Sequence, residues 1–69
     1  MNQLEMDEFF SWCDENLEGY TEEPCDESEH YYYKGEMIGG WAGDCREFFI
    51  EHNDQLTEAI RIFDESNRS

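Results

Sequence analysis

Apolar side chains recur with a helical period at both ends of the chain and cluster differently in its middle. Over residues 3–18, Met6, Phe9, Phe10, Cys13 and Leu17 share one face at about 100° per residue, with Asp7, Glu8, Asp14, Glu15 and Glu18 opposite. The spacing predicts an amphipathic helix, which Gly19 is suited to end because glycine tolerates a left-handed backbone. Trp12 falls off the apolar face, beside Glu8 and Glu15, where an interface role suits it better than a core role. Residues 19–29 hold Pro24 among acidic and turn-forming neighbours and read as an acidic loop.

The middle of the chain changes period. His30 to Lys34 carries three consecutive tyrosines, a strand signal. Lys34-Gly35-Glu36 can turn the chain into a second strand over residues 37–41, so 30–41 reads as a hairpin. Gly39-Gly40 weakens that second strand or marks a bulge. Residues 44–65 then read as one long helix. Asp44 and Glu47 have capping-box spacing. Cys45, Phe48, Phe49, His52, Leu56, Ala59, Ile60 and Phe63 form a wide apolar stripe. Asn53-Asp54 could divide this helix, but the stripe runs through that point in phase. Residues 66–69 should fray. The expected fold is a single small α+β domain in the order α-β-β-α, with an all-helical hairpin as the alternative. A lone hairpin is weak in water, so it must pack on the helices or pair with a second copy.

Composition narrows the function. The chain has 69 residues, 19 acidic against 4 basic, for a formal charge of −15. A domain this short buries roughly 60% of its unfolded surface, which leaves no room for a deep substrate cleft. The charge excludes a protein that grips nucleic acid directly, because that needs a basic footprint. An aromatic content of 16% argues against a disordered chain. No apolar run approaches the roughly 18 residues of a membrane span. The first residues lack the basic-then-apolar pattern of a signal peptide. Cys13, Cys25 and Cys45 are an odd number with no C-x-x-C pair. Reduced thiols in a cytoplasmic protein are the expectation.

Catalytic chemistry has little to stand on. His30 and His52 are the two histidines, and His52 sits on the apolar stripe, where a packed ring is the simpler reading. Surface carboxylates do not become an acid–base pair unless burial separates their pKa values. No Gly-rich phosphate loop or nucleophile motif occurs. The Cys and His spacings match no zinc motif, and residues 26–36 lack the ligand spacing of an EF-hand loop. The expectation is a protein that is no enzyme and needs no metal or cofactor.

Charge pattern points instead to a partner. In the 44–65 helix, Glu47, Glu51, Asp54 and Glu58 would form a line with carboxylates about 4.5 to 6 Å apart along the axis. Lateral stagger brings this towards the roughly 6 to 7 Å between phosphates on one DNA strand. Glu22, Glu23, Asp26, Glu27 and Glu29 add a second acidic segment. A net charge of about 2 to 8 suffices for solubility, and a larger excess destabilises the compact state by self-repulsion. The simplest reason for the excess is a partner with a large basic groove, and most such grooves bind nucleic acid.

In size, charge and expected fold the chain resembles the small acidic DNA-mimic inhibitors of phages and mobile elements. These include uracil-DNA glycosylase inhibitors, anti-restriction proteins and anti-CRISPR proteins. The first of these families presents a Glu-Ser pair at the start of a β-strand, and Glu27-Ser28 just before the expected strand looks like that arrangement. The resemblance implies that Glu27 stands in for a phosphate and Ser28 adds a polar contact. It also implies an apolar pocket, here drawn from Met37, Ile38, Trp41 and the helix faces. Tyr31 and Tyr33, on one face of the strand, are further contact candidates, since tyrosine is enriched at interfaces. The implied partner is a DNA-binding repair or defence enzyme, with a nuclease as the alternative target. An acidic adaptor that dimerises through its hairpin edge is the competing reading.

Overall fold

The first helix opens where its cap dictates. In a computed structural model, which describes residues 1–68, the Asn2 side chain accepts a hydrogen bond from the Glu5 N–H at 2.8 Å. From there α1 runs Gln3–Asn16 and buries Met6, Phe9, Phe10 and Cys13 along the predicted face. The helix stops two residues short of the expected end, and Gly19 takes a φ of 89° in the turn that follows.

That turn leads into a strand, which corrects the expectation of an acidic loop over 19–29. Strand β1 spans Tyr20–Cys25, β2 Ser28–Tyr33, β3 Glu36–Ala42 and β4 Glu47–Ile50. They form one antiparallel meander in the order β1-β2-β3-β4. Pro24 is compatible with β1 because β1 is an edge strand, where a missing N–H need not break a ladder. The expected hairpin lies at the centre of this sheet as β2 and β3. Its turn residues Lys34 and Gly35 have φ of 53° and 84°, the positive pair that a two-residue hairpin turn demands.

The single helix expected over 44–65 is the larger correction. Residues 47–50 are β4, paired to β3 with Gly39 opposite Ile50 and Trp41 opposite Phe48. Only from Asp54 does the chain become helical, as α2, Asp54–Asn67. Asn53 makes the break: its side chain accepts from the Leu56 N–H at 2.9 Å and donates to the Met37 carbonyl at 2.9 Å. The fold is therefore α+β in the order α-β-β-β-β-α, and the expected order α-β-β-α lacked the outer strands. Of the residues 66–69 expected to fray, 66 and 67 belong to α2 and Arg68 caps it, while Ser69 lies outside the described residues.

Both helices cover one face of the sheet. Phe9, Phe10 and Cys13 of α1 meet Tyr31, Tyr33 and Ile38 of the sheet and Leu56 and Ala59 of α2 in one buried cluster. Aromatic contacts run through it. Phe10 lies 4.6 Å from Tyr31 and 6.0 Å from Phe48, and Phe9 lies 5.4 Å from Phe63. A bulge sets Ile38 and Gly39 together against Tyr31, so that both turn towards the helices. Gly39 has to be glycine there: a Cβ would lie 2.7 Å from the Phe10 ring. Trp12, expected to be free for an interface, packs edge-on to Phe63 with centroids 5.4 Å apart. His52 and Cys45, expected on an apolar helix stripe, are exposed outside any helix.

The two sheet edges are guarded differently. The side-chain amide of Gln3 takes the place of a fifth strand beside β4. Its Nε2 donates to the Phe48 carbonyl at 2.9 Å, and the Phe48 N–H donates to its Oε1 at 2.6 Å. On the other side β1 carries Glu22, Glu23 and Pro24. Charged residues and proline are common devices against edge-to-edge pairing.

Candidate acidic interface

Charge is unevenly divided along the chain, and the fold turns that into a surface. The first 33 residues contain 11 acidic side chains and no Lys or Arg. All four basic residues come later, and two are held by carboxylates: Lys34 by Glu58 at 3.0 Å and Arg61 by Glu65 at 3.1 Å. Both pairs are exposed, so they contribute little to stability. The Lys34 partnership holds the Glu58 carboxyl below its usual range and the Lys34 ammonium above its own.

A groove runs between α1 and the β1–β2 hairpin. Its helix wall is Asp7, Phe10, Ser11 and Asp14, one stripe at spacings of three, one and three. Its sheet wall is Glu22, Glu29 and Tyr31, with Phe48 completing the floor. Register explains the sheet wall. Glu22 is directly opposite Tyr31 on the neighbouring strand, and Glu29 is two residues before Tyr31, so all three point to the same face. Tyr20, next along that face, donates its hydroxyl to Glu22 at 2.7 Å and fixes one carboxylate. Burial, then the fields of Glu29, Glu22 and Asp7, push the Tyr31 hydroxyl up to about 12.

A second acidic group sits at the end of the sheet. The β1–β2 turn brings Asp26 and Glu27 close to Asp44 of the β3–β4 turn. Glu27 and Ser28 stand where β2 begins, as the sequence placed them relative to a strand. Ser28 is half-buried, and its hydroxyl accepts from the Gly43 N–H at 3.1 Å. It ties the two turns together. Gly43 must be small for this contact, because a Cβ would run into the Glu27 carbonyl group.

The remaining candidates are dispersed or buried. Tyr31 and Tyr33 are only 5% and 3% exposed and Ile38 is fully buried, so these three side chains belong to the core, and of them only Tyr31 also lines the groove. Met37 is half-buried on the helix-free face, paired with Tyr32. The acidic line from Glu47 to Glu58 does not exist. Glu47 lies in β4, Glu51 follows it, and only Asp54 and Glu58 share α2. Glu23 points away from the groove, opposite His30. The structure thus unites Glu22 and Glu29, and separately Asp26, Glu27 and Ser28. The groove's helix wall was missed, although Asp7, Ser11 and Asp14 at i, i+4 and i+7 carried the signal.

Among the described residues, no three His, Cys, Asp or Glu side chains are arranged to hold a metal ion. Among the same residues, no helix is long and apolar enough to cross a membrane. Comparison with known protein families, curated proteins and solved structures finds no match for this chain.

Proposed function

We propose that this protein is a DNA-mimic inhibitor that occupies the basic nucleic-acid groove of a DNA-processing enzyme in the bacterial cytoplasm. One observation carries the reading: two rows of carboxylates, Asp7 and Asp14 on α1 and Glu22 and Glu29 on the sheet, border a groove with no basic side chain lining it. Two negative rows with a groove between them repeat in outline the phosphate rows of a duplex. A surface of this kind costs folding stability through self-repulsion, and a basic partner offsets that repulsion on binding. Uracil-DNA glycosylase is the first candidate target, by the Glu27-Ser28 resemblance, and a restriction or CRISPR nuclease the second.

The test is capture of partners from bacterial lysate by the tagged protein, with and without excess duplex DNA, followed by inhibition assays on purified uracil-DNA glycosylase. Recovery of a DNA-binding enzyme that duplex DNA displaces is expected, with affinity falling steeply as salt rises. Partners indifferent to DNA would overturn the reading.

One observation favours an adaptor as a second reading. His30, Tyr32, Met37 and Phe49 lie half-exposed on the helix-free face of the sheet, with the Phe49 ring across Gly40. A melting temperature that rises with protein concentration would support association through that face.

A further inference from the structure

Tyr31 is 5% exposed and lines the groove between α1 and the hairpin, yet its hydroxyl makes no hydrogen bond to any described residue. Among the described residues no buried side-chain oxygen or nitrogen lacks a partner, so the unpartnered Tyr31 hydroxyl is open to solvent, on a residue that lines the groove. It is a polar group held by a buried ring and aimed at space bordered by Asp7, Asp14, Glu22 and Glu29. With its proton held until about 12, it stays a neutral hydroxyl, able to donate or accept, across the physiological range. The apolar surfaces there are rings: Phe10 and Phe48 lie 6.0 Å apart and 28° from parallel.

We propose that this groove takes an arginine side chain from the basic surface of the partner. A guanidinium matches what the groove offers. Its planar fork of N–H donors can bridge a helix carboxylate and a sheet carboxylate while also donating to the Tyr31 hydroxyl oxygen. Its flat face stacks on a phenyl ring. A lysine ammonium is a point charge that meets the carboxylates but gains little from the flat rings. The inference rests on the inhibitor reading for the identity of the partner, and it names the residue type that partner must insert.

The experiment uses the full chain, 15N-labelled, titrated with hexa-arginine and, separately, hexa-lysine while amide shifts are followed. The largest shifts are expected at Asp7, Ser11, Asp14, Glu22 and Tyr31, with hexa-arginine binding about fivefold tighter than hexa-lysine. Tyr31→Phe should remove most of that difference, and Asp7→Asn, a change at an exposed site that leaves the core alone, should weaken hexa-arginine about fivefold. Equal binding of the two peptides, or shifts spread evenly over the α2 acids Glu58, Asp64 and Glu65, would overturn the proposal. So would an unaltered preference in the Asp7→Asn protein, which decides the matter should Tyr31→Phe fail to fold. Failure of the two readings is separable. If no DNA-competed enzyme is captured while the groove still selects arginine, the inhibitor reading falls alone. If such an enzyme is captured equally well by Asp7→Asn and wild type, the arginine groove falls alone.

Discussion

Replacing Gly43 by alanine should be among the most damaging single-methyl additions in this chain. The β3–β4 turn passes against the β1–β2 turn so closely that an added Cβ would lie 2.7 Å from the Glu27 Cβ and closer still to its carbonyl oxygen. The obstruction includes backbone, so no side-chain rotation relieves it and the two turns must separate. Forced separation of packed atoms costs about 1–3 kcal/mol. It also breaks the bond from the Gly43 N–H to the half-buried Ser28 hydroxyl, worth about 1 kcal/mol more. For a domain of this size each kcal/mol lowers the melting temperature by roughly 4–8 °C, so a drop on the order of 10–30 °C is expected by circular dichroism. Gly35→Ala is the comparison. Its Cβ meets nothing within 4 Å, and its φ of 84° alone should cost about 1 kcal/mol. Ser28→Ala should cost less in the Gly43→Ala background than in wild type, because the bond it removes is already gone. If Gly43→Ala melts within about 2 °C of wild type, the turn–turn contact is not what orders this end of the sheet.

Three further outcomes follow from the same geometry. Gln3→Ala should cost about 1–2 kcal/mol and expose the β4 edge, seen as a lower melting temperature and concentration-dependent sedimentation. Burial raises the Cys13 thiol from 9.0 to about 12, and burial with nearby carboxylates raises Tyr31 from 10.0 to about 12. The folded protein keeps protons that the unfolded chain gives up, so this stability is full below pH 9.0 and lost as pH rises to about 12. The urea midpoint should fall across that window, and Cys13→Ala should flatten the part below pH 10, where Tyr31 has yet to ionise. A thiol reagent should modify Cys25 and Cys45 in the native protein and reach Cys13 only after denaturation, counted by mass spectrometry.

Legibility varied with how local the determining physics was. The first helix could be read from its period alone, and every residue assigned to its apolar face is buried. The turn at Lys34-Gly35 was equally local. The 44–65 segment misled because its apolar positions continue in helical phase across Asn53, while Phe48-Phe49-Ile50 is also a strong strand former. What decides between the two is distant. Gly39 and Gly40 clear space for β4, since a Cβ at either would meet Phe49 atoms. Glycines that looked like a weakness in one strand thus admit its neighbour. β1 was hidden by composition, because an edge strand facing water can carry acids and a proline that a central strand could not. The groove was half legible. Its carboxylates were visible on both segments, but only the pairing of Glu22 with Tyr31 shows which of them face α1.

The amide clamp of Gln3 on Phe48 joins positions 45 residues apart, whereas the four strands pair only with their sequence neighbours. A meander can therefore assemble hairpin by hairpin with short loop closures, while the clamp has no partner until β4 is in register. Folding of this chain should then proceed from the centre outwards, with the N-terminal helix docking late. Mutations at Gln3 would accelerate unfolding and leave the refolding rate nearly untouched.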